Sequence, residues 1–172
     1  GRFMGRIGTR AAGIVLLIFA VLVYLAGSSL LLLSRQGEII ERMGVRDRVA
    51  IEAVDDFSND VAEYAQAFAA VMAGALPPGV TAGRMVRNAE GISESFALLD
   101  SLVGHRLDSV VIEAARDMAA RLPNLSDRVR DAFTARARDQ YGPLQEEWLD
   151  IVVAFNAVSA RAREIIKADA DA

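Results

Sequence analysis

The sequence predicts an all-α protein in which one transmembrane helix continues into an antiparallel, up-down-up-down four-helix bundle. Three observations carry this. Residues 11–33, AAGIVLLIFAVLVYLAGSSLLLL, contain no charged side chain. Beyond them apolar residues recur at alternating spacings of three and four, the period that keeps one narrow helical stripe facing its neighbours. Ala, Arg, Leu, Asp and Glu dominate, while the prolines are confined to Pro77-Pro78, Pro123 and Pro143, so the chain divides into long helix-forming stretches with no strand-like one outside the anchor.

A helix over residues 11–33 is roughly 34 Å long, enough to cross the hydrocarbon core of a bilayer. Arg2, Arg6 and Arg10 precede it with no acid among them, whereas Arg35, Glu38, Glu41 and Arg42 on the far side nearly cancel. The basic stub at 1–10 is therefore expected in the cytoplasm and residues 34–172 outside it, in the periplasm or its equivalent, with the inner (cell) membrane between. A cleaved signal peptide is the competing reading. Its apolar core is shorter, and here Leu30 to Leu33 carry the apolar run past the small residues Ala26-Gly27-Ser28.

Helix one starts at about residue 35 with no turn signal after the anchor. Its seam is Ile40, Met43, Asp47, Ala50, Val54, Phe57, Val61, Tyr64, Phe68, Val71 and Ala75, apolar except at Asp47. Leu76-Pro77-Pro78-Gly79 ends it, because proline lacks an amide donor and pushes the preceding residue out of the α region. Helix two, about 82–104, carries Met85, Ala89, Ile92, Phe96, Leu99 and Val103 until Gly104-His105. Helix three, about 107–140, resumes with Leu107, Val111, Ala114, Met118 and Leu122, kinked near Pro123, with Ser126 a candidate N-cap. A last break is read at Tyr141-Gly142-Pro143, after which helix four, 143–168, carries Leu144, Trp148, Ile151, Phe155, Val158, Ala162 and Ile165. Four such stripes joined by short loops form an antiparallel bundle, whose last helix returns to the membrane. A second transmembrane helix is expected to follow Ala172.

Charge and chemistry narrow the function. The whole chain carries a formal charge of −4, which becomes −7 once the three arginines of the stub are set aside, so nucleic acid is not an expected partner. There is no cysteine and one histidine, His105, which excludes thiolate chemistry and gives no histidine cluster for a metal. No Gly-rich phosphate loop or nucleophile elbow appears, no cofactor is expected, and the segment is read as non-enzymatic. Paired carboxylates such as Asp55-Asp56 and Glu146-Glu147 read as solvated helix faces.

A basic stub, an uncharged run at 11–33, a heptad-bearing helix one and a bundle that returns to the membrane resemble the N-terminal sensor half of a methyl-accepting chemotaxis protein. Sensor histidine kinases and cyclases of the cyclic-dinucleotide kind carry similar input modules, and a non-sensing helical scaffold is the alternative of another class. The resemblance implies a ligand-sensing input module for a cytoplasmic output domain, a homodimer through helix one, and a small-molecule ligand or a periplasmic binding protein as partner beside membrane lipid. Aspartate-sensing members place arginines in the distal half of helix one. Here Arg42, Arg46 and Arg48 lie near its membrane end and none follows from Ile51 to Ala75.

The cations available for an anionic ligand far from the membrane are Arg84 and Arg87 in helix two and Arg136 and Arg138 late in helix three, whose guanidinium forks suit carboxylates. Tyr64, Tyr141 and Trp148 are expected at similar height and would supply an apolar wall with polar tips. Arg84, Arg87, Arg136, Tyr141 and Trp148 are the candidate ligand-binding residues. Each also has a plainer reading: the arginines as solvated charges, Tyr64 and Trp148 as core.

Overall fold

A computed structural model describes residues 44–171, all packed as one helical bundle. The stub and the anchor expected at 11–33 lie outside the described residues, among which no helix is long and apolar enough to cross a membrane. The four helices are α1 (Val45–Met72), α2 (Pro78–Val103), α3 (Ser109–Ala135) and α4 (Arg138–Asp171), with a 3-10 turn at Gly104–Arg106.

The turns explain where each helix stops. α1 closes with a Schellman arrangement: Ala75 N–H donates to the Ala70 carbonyl at 2.8 Å and Gly74 N–H to that of Val71 at 3.1 Å. This requires Gly74 in the left-handed region, at φ 75°, where a Cβ is disfavoured. Ala75 thus falls in the turn and is exposed, outside the seam that the heptad assigns to it. α2 starts at Pro78, several residues before the expected 82, because proline suits a first helical position whose amide has no partner anyway. At the second turn Gly104 ends α2, and the Asp108 carboxylate accepts from Val110 N–H at 2.8 Å to cap α3.

The third turn corrects the sequence reading. The break is at Arg136, which takes the left-handed conformation at φ 53°, and α4 begins at Arg138, running through Tyr141-Gly142-Pro143. Pro143 is tolerated there because only the Asp139 carbonyl, in the exposed first turn, loses its acceptor role. Pro123 likewise lies inside a continuous α3. Ser126 is therefore a buried helix-interior residue rather than an N-cap.

Helices that alternate in direction pack in a ring: α1 against α2 and α4, α3 against α2 and α4. The chain enters and leaves at one end, the open end, and turns at the other, the closed end, through the first and third connections. All six predicted residues of α2 are buried, as are Ala50, Val54, Phe57, Val61, Tyr64, Phe68 and Val71 of α1. In the first turns of α3 the buried residues are Ile112 and Ala115, with Val111 half-buried and Ala114 exposed, and from Leu122 onward Leu125, Val129 and Phe133 continue the buried face. Leu107, from which that stripe was counted, sits in the extended connection and is out of phase with the helix. In α4 the stripe drifts from Ile165 to Ile166 at its far end, as a 3.6-residue helix does against a 3.5-residue repeat.

Large rings tie together helices that are diagonal in the ring. Phe96 of α2 stacks on Phe155 of α4 at 5.6 Å between centroids, and Phe68 of α1 meets Phe133 of α3 edge-on at 5.3 Å. Phe57 completes the first cluster and Tyr141 the second. Such ring pairs contribute beyond the area they bury, by about 0.5–1.5 kcal/mol each.

Candidate ligand groove between the third and fourth helices

The residues singled out as ligand-binding are dispersed. Arg84, Arg87 and Arg136 are exposed near the closed end, on α2 and in the α3–α4 turn. Tyr141 and Trp148 are buried, with Tyr141 against Phe133 and Trp148 against Tyr64 at 4.4 Å. The Tyr64 hydroxyl crosses the bundle toward Ser126 of α3. Burial pushes its pKa well above the usual phenol range, with Ser126 drawing it partly back, yet neither hydroxyl makes a well-formed hydrogen bond. These rings build the core, not a ligand wall. His105 is exposed, and no group of three acidic or histidine side chains among the described residues is placed to hold a metal.

A different set converges. On α3, Arg121, Asn124, Leu125 and Arg128 lie three, one and three residues apart and share a face turned toward α4. Glu147, Asp150 and Ile151 face them from α4. Arg128 binds Glu147 through both guanidinium nitrogens, at 2.7 and 2.9 Å, while its Nε donates to Asn124 Oδ1 at 2.9 Å. The bidentate contact holds the Glu147 carboxyl below its ordinary pKa and raises that of Arg128; the nearby Arg121 also lowers Glu147.

This ion pair partitions a groove. Toward the open end lies a cleft of about 330 Å³ with Met118, Leu125 and Ile151 as its apolar lining, and with Arg121, Asn124 and Asp150 as polar lining. Toward the closed end lies a second of about 440 Å³, bounded by Asp131, Asp139, Pro143 and Leu144. A third cleft, also about 440 Å³, opens at the chain ends between Asp47, Arg106 and Asp169, where Arg106 is held bidentately by Asp169.

Within the first cleft one wall is cationic and the other anionic. The Asp150 carboxylate has no hydrogen-bond or ion-pair partner among the described residues, and Arg121 is engaged only by Asp117 on its own helix at 3.1 Å, both side chains more than half exposed. Opposite charges thus stand on facing walls, and the residues lining this cleft include no nucleophile with an adjacent base. The sequence reading passed over these residues because Arg121 and Arg128 each look like solvated helix charges. Their signal is the spacing Arg121-x-x-Asn124-x-x-x-Arg128, which puts a cation, an amide and a cation on one face.

Two further polar seams lie between helices. Ser58 Oγ donates to Ser159 Oγ at 3.3 Å between α1 and α4, beside Arg163, which reaches Ser58 at 3.2 Å and Asp55 at 3.5 Å. Ser95 of α2 donates to Asp60 of α1 at 2.7 Å. No protein-family model, no curated protein and no solved structure matches this chain.

Proposed function

We propose that this chain is the ligand-sensing input module of a bacterial transmembrane receptor of the chemoreceptor kind, its bundle standing outside the cytoplasm on the helix at 11–33. The observation that supports it most is the one-ended bundle, in which α1 enters and α4 leaves at the same end. A bundle mounted by that end can carry a ligand-dependent shift of α4 against α1 toward whatever the chain connects to. The α1–α4 contact suits such a shift: it includes long hydroxyl and guanidinium contacts among Asp55, Ser58, Ser159 and Arg163 in addition to apolar packing. Interlocked apolar layers resist sliding, whereas polar contacts exchange partners at low cost.

Homodimerisation through α1 fits these residues less well. Its exposed stripe holds Glu52, Asp56, Asn59, Glu63 and Gln66, and two copies paired on it would set carboxylates against carboxylates.

The absence of cysteine makes the topology directly testable. Ala75→Cys places a single thiol on the exposed closed-end turn. A membrane-impermeant maleimide is expected to label it in intact spheroplasts, with the protein retained in the membrane fraction. Labelling only after lysis overturns the reading, and recovery in the soluble fraction does so as well.

A further inference from the structure

Asp47 is the one charged residue in the otherwise apolar seam of the first helix, and the structure gives it a setting. It stands in the first turn of α1 and lines the chain-end cleft of about 440 Å³ together with Arg106 and Asp169. Beneath them Ala50, Val103 and Ile166 belong to the packed core. Arg106 closes the 3-10 turn between α2 and α3 and donates to both Asp169 carboxylate oxygens, at 2.5 and 2.7 Å. The Asp47 carboxylate accepts no side-chain hydrogen bond among the described residues.

Two carboxylates thus compete for one guanidinium. The bond to Asp169 raises the Arg106 pKa most, and the charge of Asp47 adds to that rise. An Arg106 side chain released from Asp169 therefore remains in the field of a second acid. Arg106 and Asp169 are 40% and 36% exposed and Asp47 is half-buried, so an exchange of partners displaces no core side chain. The three residues also sit on three separate elements. Asp47 is where α1 begins, Asp169 is near the end of α4, and Arg106 is on a turn that belongs to neither helix. A displacement of the end of α4 carries Asp169 away from Arg106 while Asp47 stays with α1.

We propose that Arg106 is a two-seat latch at the open end, bound to Asp169 while α4 is docked and passing to Asp47 when the end of α4 moves away from the turn. Its use in signalling rests on the sensor reading, which it deepens, but the exchange itself stands on the cleft alone. Both seats are open to solvent, so salt screens each of them and neither state is locked.

Double-mutant cycles test the exchange, read as urea unfolding of the whole chain in detergent micelles and followed by circular dichroism. The coupling between Arg106→Gln and Asp169→Asn is expected to change the unfolding constant at least about twofold. The coupling between Arg106→Gln and Asp47→Asn should stay below about 1.5-fold in the unsubstituted chain and rise to at least about twofold once Asp169→Asn is present. Equal Arg106–Asp47 coupling in the two backgrounds means a fixed three-way clamp and overturns the proposal. Its absence from both backgrounds, or the absence of Arg106–Asp169 coupling, does so as well. The motion is read separately from nitroxides on Val45→Cys and Lys167→Cys, both exposed, in a chain with no other cysteine. Their distance distribution should broaden in Arg106→Gln, and an unchanged distribution overturns the link between the latch and α4. Labelling of Ala75→Cys reads the topology, so a latch in a chain that is not membrane-mounted and a mounted bundle without exchange are distinct results.

Discussion

The closed end of the bundle and its open end are held together by different interactions. At the closed end Phe68, Phe133 and Tyr141 form one ring cluster, and Tyr64 packs at a tilt against Trp148 in the next layer. Beyond the Phe57–Phe96–Phe155 cluster, the interior toward the open end is aliphatic, with Ile51, Val103, Ile112 and Ile166 beside Ala50, Ala115 and Ala162, and the helices are also joined across their surfaces by Arg106–Asp169 and Arg116–Asp100. Buried ring contacts are insensitive to salt, whereas exposed ion pairs contribute little and are screened. The end at which α1 begins and α4 finishes is thus held in part by interactions that solvent screens, while the far end is held by ring contacts that it does not. Local opening is expected to follow the same division.

The largest test of this difference is Trp148→Ala. Trp148 is 2% exposed and its ring lies against Tyr64, so truncation leaves a cavity at the centre of the closed half and should cost about 3–5 kcal/mol in urea denaturation. Asp100→Asn, which breaks an exposed pair at the open end, should cost far less. Equal losses in the two variants would mean that the two ends are not held differently.

Smaller effects are expected at the two closed-end turns, and with opposite signs. Gly74 and Arg136 both occupy the left-handed region, at φ 75° and 53°. Gly74→Ala introduces a Cβ where it is disfavoured and should destabilise by about 1 kcal/mol, although nothing crowds the site. Arg136→Gly removes such a Cβ and should stabilise by up to about 1 kcal/mol. Thermal unfolding that shifts the same way in both variants would show that these turns are not limited by backbone conformation.

Those turns also mark where sequence reasoning worked and where it stopped. Pro77-Pro78 made the first connection legible because two prolines forbid a continuous helix, and the stripes of α1, α2 and α4 were legible because burial imposes a period. The third connection was not legible: arginine has no preference that marks it as a left-handed C-cap, while Gly142-Pro143, which does read as a break, is absorbed in the exposed first turns of α4. The phase of α3 was lost for a related reason, since a 3-10 turn and an extended Leu107 interrupt the count. The groove was hidden because its charged residues belong to two helices whose mutual register only the folded chain sets. Asp150 carries no mark in sequence that distinguishes it from the many solvated charges around it, and Arg121 has only its spacing from Asn124 and Arg128.

The smallest effect concerns the ion pair that partitions that groove. Glu147 has an ordinary pKa of 4.5 that Arg128 lowers in the folded state. A carboxyl with a lowered folded pKa adds stability above its unfolded value, and that contribution is lost as the pH falls through the folded value. The side chains of Arg128 and Glu147 are 46% and 48% exposed, so solvent screening leaves only a few tenths of a kcal/mol. Glu147→Gln should therefore unfold at slightly lower temperature than the unsubstituted chain at pH 7, with the gap narrowing as the pH falls below 4.5. A gap that does not narrow on acidification would show that Glu147 acts through packing rather than charge.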